Sequence, residues 1–162
     1  MKFKYINFQY NVVKKIIEQA KLLTHSYTTP KCSPSRAALM TGYYPWRIGM
    51  QRSAIARYQP LGLNTTIKIL PEYLKEAGYS THIVGKWHLG YCHPDYLPTN
   101  RGFDTHLGQW SHRVDYYSRI TDPENTKFLK NYNKDKTGYD WHENNNSTEE
   151  SVGRFSTEVL TE

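Results

Sequence analysis

Two short segments hold residues whose types and spacing could do chemistry. The first is Cys32-Ser-Pro-Ser-Arg36, followed by Ala-Ala-Leu-Met-Thr-Gly to Gly42. Pro34 suits the first turn of a helix, so Cys32 is expected at a loop-to-helix junction with Arg36 one turn along. A helix N-terminus and a nearby guanidinium both favour an anion and lower a thiol pKa. The residues alone fit an oxyanion-handling nucleophile or a structural cysteine ahead of an ordinary helix. The second segment is Gly85-Lys86-Trp87-His88-Leu89-Gly90. An extended backbone places Lys86 and His88 on one face. A cation beside an imidazole can hold an oxyanion and move a proton near neutral pH. A surface lysine beside a satisfied histidine has the same spacing.

Positioning such residues takes a framework, and the surrounding pattern predicts one of the α/β class. Residues 11–23 place Val12, Val13, Ile16, Ile17, Ala20 and Leu23 at helical spacing, giving an amphipathic helix. Residues 28–34 read as a loop. Residues 35–41 read as a short helix stopped by Gly42. A further helix is expected from a Thr65 or Thr66 cap to Ala77, distorted by Pro71 and ended by Gly78. Residues 79–84 follow as a strand. Gly85–Gly90 then lies at the carboxyl end of that strand, where open α/β sheets bind ligands. Residues 91–110 are expected as loop, 118–147 as a polar excursion or lid, and 148–162 as the beginning of another helix. No internal repeat is seen.

Composition narrows the function classes. The chain has 162 residues, 14% aromatic, with a formal charge of +6. The aromatic content predicts a packed domain. The basic residues are dispersed, which argues against a nucleic-acid arm. Cys32 and Cys92 are too few for a disulfide framework, and Cys92 is read as a spare thiol. No stretch approaches the ~20 apolar residues of a membrane span. Met1–Tyr10 has no continuous apolar run, so no signal peptide is visible. Sequons stand at Asn64, Asn145 and Asn146. They are candidate glycosylation sites only on a secretory route. His106 and His112, in a loop with Asp104 and Asp115, show no metal-ligand spacing and read as polar loop.

Cys-x-Pro-Ser-Arg followed by Thr-Gly resembles the signature of the sulfatases, with Met40 where many members have Leu. Gly85–Gly90 resembles the lysine–histidine loop of that family, and Pro98–Asp104 its Pro-x-x-Arg-Gly-Phe-Asp segment. The last is given no catalytic role. Arg101 and Asp104 are expected to pair and brace a turn at Gly102. The resemblance runs from about residue 12 to about residue 139 and points to the arylsulfatase B-like group, whose members desulfate glycosaminoglycan sugars. It implies an α/β fold: a partial sandwich of the alkaline-phosphatase superfamily, its mainly parallel sheet flanked by helices, truncated at both ends. One partial catalytic domain would span 1–162, with a divergent start at 1–10.

The same resemblance implies the chemistry. A formylglycine-generating enzyme oxidises Cys32, and the aldehyde hydrates to a gem-diol. One hydroxyl attacks the sulfur of a sulfate ester, and the second then loses its proton, expels sulfate and restores the aldehyde. Cys32, Arg36, Lys86 and His88 are the catalytic residues implied, with Lys86 and His88 also binding substrate. Cys32, as formylglycine, would ligate calcium, with magnesium as the alternative. The two adjacent aspartates expected before the first helix do not occur in Met1–Tyr10. Further metal ligands, a second lysine and a second histidine are expected beyond residue 162. The implied route is secretory, to the lysosome or the exterior. The competing reading from another class is a non-catalytic remnant that binds sulfated glycans. A phosphatase or phosphodiesterase of the same superfamily would use Ser or Thr in place of Cys32.

Overall fold

A computed structural model describes residues 13–57, 59–121 and 138–162. Residues 13–19 are helical (α1). Their apolar face is open: Val13, Ile16 and Ile17 are all exposed, and Leu22, Leu23 and Tyr27 beyond them are too. The periodicity of this segment is therefore real, but within the described residues nothing covers its apolar stripe. Met1–Tyr10 and Val12 lie outside the described residues.

The next helix, α2, spans Cys32–Thr41, three residues earlier than the sequence suggests. Lys31 is its cap in extended conformation, so Cys32 opens the helix and does not precede it. Gly42 ends α2 in the left-handed conformation, with its N–H bonded to Ala38 O at 2.9 Å. Pro45–Ile48 forms a turn of 3₁₀ helix. Helix α3 covers Leu70–Glu76 and is shorter than expected. Asn64 Oδ1 accepts from both the N–H and the hydroxyl of Thr66, which holds 64–66 in a turn. Glu72 reaches back to the N–H of Ile69 at 2.6 Å and fixes the helix start there. Pro71 thus sits in the first turn, where it costs no hydrogen bond, and produces no kink.

Strand β1 (His82–Val84) pairs in parallel with β2 (Thr105–Gly108), in register His82 to Thr105. Strands β3 (His142–Glu143) and β4 (Asn146–Ser147) extend the sheet in antiparallel fashion, giving the order β1-β2-β3-β4. Helix α4 is limited to Ser156–Val159.

Three expectations need correction here. Residues 105–108 are a strand, and His106 is a buried strand residue and not part of a polar loop. The alternating burial of Thr105–Gly108 is the period-2 signal that the glycines and prolines around it obscured. The ends of the 118–147 segment are also packed, while 122–137 lies outside the described residues. Arg119 is fully buried over the Trp141 ring at 4.4 Å and donates to Ser151 O and Arg154 O. Arg101 and Asp104, finally, do not pair with each other. Arg101 is buried, 3.8 Å from Glu72, and caps the carbonyls of Leu63 and Ile67. Asp104 bonds Lys75 at 2.8 Å and the Thr81 N–H at 2.8 Å. The turn at Gly102 survives without the pair: φ is 88°, and an added Cβ would lie 2.7 Å from Glu72.

The core gathers Ala37 of α2, Leu63, Ile69, Trp87, Leu89 and Phe103. Trp87 meets Phe103 edge-on at 6.1 Å, and its Nε1–H donates to Gly90 O and Tyr96 O. The tryptophan between Lys86 and His88 is therefore the anchor of the segment that carries both.

Candidate active site

Past its last strand residue, β1 keeps its partner. Gly85 N bonds Leu107 O at 2.7 Å, Trp87 N bonds Gln109 O at 2.9 Å and His88 N bonds Trp110 O at 3.0 Å. The segment 85–88 is thus laid along 107–110. Gly108 is required at that crossing: its φ is 144°, and a Cβ there would stand 2.2 Å from Gly85 O.

From the other side, α2 supplies Cys32 and Arg36. The Arg36 guanidinium donates to Lys86 O, with Trp87 O at 3.5 Å, and so fixes the peptide that carries the lysine. The Lys86 ammonium lies near enough to Cys32 for their charges to interact and donates to His112 O at 2.8 Å. Burial pulls both Lys86 and Arg36 below their ordinary values, and Cys32 offsets part of that shift in each. Cys32 is half-buried and carries no disulfide. Cys92 is exposed and outside the site.

His88 has a left-handed backbone, φ 58°, at a residue that is only 2% exposed. Such a conformation costs on the order of 1–3 kcal/mol. Its Nε2 lies 2.8 Å from Ile55 O. A carbonyl only accepts, so Nε2 carries the proton and Nδ1 presents a lone pair. That Nδ1 is buried without a partner among the described residues. Burial lowers the His88 pKa to about 4, against a smaller upward pull from Ile55 O. The unliganded imidazole is therefore neutral at pH 7, and its free nitrogen is a proton acceptor.

The four residues singled out by sequence thus converge. Two others that sequence reasoning passed over complete the site. Ser33 Oγ accepts from Ile55 N at 3.0 Å, so Ser33, Ile55 and His88 form one strut from α2 to the imidazole. His112, read as loop polarity, lies edge-on to His88 with ring centroids 5.3 Å apart. Asp104 and Asp115 are elsewhere engaged, the first with Lys75 and Thr81, the second with the turn at Tyr117 and Ser118. Among the described residues, no cluster of three or more His, Cys, Asp or Glu side chains could hold a metal. The charged groups that shift Arg36, Lys86 and His112 are cations and Cys32, with no carboxylate among them. These residues fit an anion and do not fit a divalent cation, which needs several oxygen ligands. Asn64, Asn145 and Asn146 are all exposed, although Asn145 Oδ1 accepts from Thr99 at 2.5 Å.

A family model described as Sulfatase matches residues 3–161. Arylsulfatase J of Mus musculus is 39% identical over 91% of this chain and 23% of its own length. N-acetylgalactosamine-6-sulfatase of Canis lupus familiaris is 49% identical over 49% of this chain and 16% of its own length. Among solved structures, Ps i-CgsB in complex with k-i-k-neocarrahexaose superposes with a TM-score of 0.63 at 32% identity, over 80% of this chain and 29% of that one. The PsFucS1 sulfatase from Pseudoalteromonas sp. matches with a TM-score of 0.52 at 33% identity, over 66% of this chain and 21% of that one. The chain spans roughly a quarter or less of the length of the curated relatives named.

Proposed function

The chain belongs to the sulfatase family, and from that premise we propose that the protein carrying it hydrolyses sulfate esters of sugars through a formylglycine made from Cys32. The observation that carries the reading is the meeting of α2 with segment 85–88, where Arg36 donates to Lys86 O and Lys86 is close enough to interact with the charges of both Cys32 and His88. Lys86 neutralises a sulfate oxygen beside the nucleophile, as preorganised charge does for an anionic transition state. Arg36 holds the Lys86–Trp87 peptide in place. His88 offers a neutral nitrogen that can take the proton of a hydroxyl during attack at sulfur. The bond from sulfur to the ester oxygen breaks, the sugar oxygen takes a proton from water and leaves as the alcohol, and the sulfate left on the Cys32-derived diol is expelled when the second hydroxyl loses its proton and restores the aldehyde.

The fold supports this reading through the named sulfatase structure and its TM-score of 0.52. The k-i-k-neocarrahexaose held by Ps i-CgsB and the amino-sugar in the name of the dog relative suggest a sulfated glycan substrate. Calcium dependence, through oxygen ligands from outside the described residues, is a proposal for the whole protein, as are sequon glycosylation and passage through the secretory pathway. No helix among the described residues is long and apolar enough to cross a membrane.

Peptide mass spectrometry of material expressed with an active formylglycine-generating enzyme should find the aldehyde at position 32. The whole protein carrying this chain should then turn over a fluorogenic aryl sulfate, where the 162 residues alone should not, and Cys32→Ser should abolish turnover because serine lacks the second hydroxyl. A verified aldehyde with no turnover above that variant would sink the enzymatic reading. The all-cationic surroundings of Cys32 favour a second reading, binding of sulfated glycans without turnover. Salt-sensitive binding in the absence of hydrolysis would select it.

A further inference from the structure

Beyond His112 the chain opens a cavity of about 660 Å³ lined by Gln109, His112, Arg113, Asp115, Tyr116 and Ile120 among others. Its volume is within the range of ligand sites, about 300–1,000 Å³. The cavity is tied to the Cys32 site by one carbonyl. His112 O accepts from Lys86 Nζ at 2.8 Å and from Gln109 Nε2 at 3.3 Å. The backbone of the next residue, Arg113, is therefore held beside that contact, with its charge near enough to interact with that of Lys86.

Arg113 is exposed and makes no ion pair or hydrogen bond among the described residues. It raises the local potential together with Lys86, Arg57 and Lys31, all of which oppose protonation of His112. Asp115 is the one carboxylate in the lining named, and its Oδ1 is held by the N–H groups of Tyr117 and Ser118 and the Ser118 hydroxyl. Tyr116 is exposed and offers a ring face of the kind sugars stack on.

We propose that this cavity is a second anion subsite, in which Arg113 binds a sulfate or carboxylate on the sugar adjoining the one whose sulfate lies at Cys32. The inference rests on the proposed function and names its substrate class: an oligosaccharide with anionic groups on neighbouring sugars. The planar guanidinium grips either oxyanion through paired N–H donors.

The test is titration calorimetry on the Cys32→Ala protein, which cannot turn substrate over. Three disaccharides serve as probes: one with a single sulfate, one with a second sulfate on the adjoining sugar, and one with a carboxylate in that place. The doubly charged probes should bind roughly 10-fold tighter than the first, the gain expected of one charge-assisted pair. Whichever of the two is preferred identifies the second group. Arg113→Gln should erase the preference, and Arg113→Lys should restore part of it. Equal affinities for all three probes, no binding of any, or a preference that survives Arg113→Gln would overturn the subsite. Absence of aryl sulfate turnover in the Cys32 protein would instead count against the hydrolase reading and leave this preference standing.

Discussion

The carbonyl of Ile55 accepts the Nε2 proton of His88 at 2.8 Å, and this contact decides which nitrogen of the imidazole does chemistry. With Nε2 committed, the buried Nδ1 is the free base. Nothing in the local sequence around Gly85–Gly90 points to residue 55, because the contact spans 33 residues.

Burial of this neutral imidazole makes stability depend on pH. The folded pKa, about 4, lies below the ordinary 6.5. Above pH 6.5 both folded and unfolded chains hold His88 neutral, and its contribution is complete. Between pH 6.5 and about 4 the unfolded chain takes up a proton that the folded chain refuses, so stability falls with pH, by about 3 kcal/mol in all. Chemical denaturation across that window should show the loss. His88→Gln should flatten this part of the profile. An unchanged slope in the variant would mean that other groups govern the transition.

Ser33 should be more than a spacer in the nucleophile motif. Its side chain is fully buried and is the acceptor for Ile55 N. Ser33→Ala strands that N–H, at a cost of about 1–3 kcal/mol. It also loosens the segment that fixes the His88 tautomer. The expected result is a lower Tm together with reduced kcat on an aryl sulfate at unchanged formylglycine content. A Tm equal to that of the wild type would show that water replaces the hydroxyl.

The charge at Lys86 has a separate signature. Lys86→Met removes the ammonium shared between Cys32 and His112 O. In the protein carrying this chain, kcat/KM should fall by roughly 10²–10³, the scale for one preorganised charge-stabilising group. Lys75→Met, which breaks the partly exposed pair with Asp104 at 2.8 Å, should change stability by no more than about 1 kcal/mol and leave kcat/KM near the wild-type value. Similar kinetic losses at both positions would displace the site from Lys86.

Legibility in the sequence followed the range of the interactions. Gly42 and the Cys32–Arg36 turn could be read because caps and turns are local. The lysine–histidine motif could be read because it is short, but the extended alternation expected of it ends at His88, whose backbone is left-handed at φ 58°. Strand β2 could not, since its four residues closely follow Gly102, end on Gly108 and gain their identity from pairing with β1. Arg101 was expected to bind Asp104, three residues away, yet its partners are Leu63 and Ile67 more than 30 residues back. His112 and Arg113 carried no motif at all. They join the site because 107–110 is laid against 85–88, a long-range register that composition does not encode.

Asp140 tests the register from the far side of the sheet. Its carboxylate is buried and accepts from Trp110 N at 2.9 Å, Ser111 N at 2.9 Å and the Ser111 hydroxyl, with His142 Nδ1 3.3 Å away. Burial by itself would raise its pKa, but these donors together hold it below the usual carboxylate range. Asp140→Asn replaces one acceptor oxygen with a donor that faces other donors. A loss of about 2–4 kcal/mol is expected, since hydrogen bonds to a charged group are worth about 1.5–3 each. Thermal unfolding monitored by near-UV circular dichroism should register it, because Trp110 and His142 stack at 3.5 Å beside the carboxylate. A near-UV signal and Tm matching the wild type would show that 110–111 does not depend on Asp140 for its place.

Gly108 gives the sharpest test of how the framework sets the site. A Cβ at this position would be 2.2 Å from Gly85 O and 2.8 Å from Gly85 Cα, both backbone atoms that cannot swing aside. The φ of 144° adds strain for any L side chain. Gly108→Ala must therefore push segment 85–88 away from 107–110. The bonds at risk are Gly85 N to Leu107 O and Trp87 N to Gln109 O. The displacement reaches Lys86 at once, because its hold on His112 O depends on the same register. Gly138→Ala is the matched control, with no atom of the described residues within 4 Å of the added carbon. The expected outcome is a clear drop in Tm for Gly108→Ala and none for Gly138→Ala. In the folded fraction of Gly108→Ala, kcat/KM on an aryl sulfate should fall by roughly 10²-fold, the cost of about 1 Å misplacement of a positioning group. Full activity in that folded fraction would mean that Lys86 is placed by Arg36 and α2 alone.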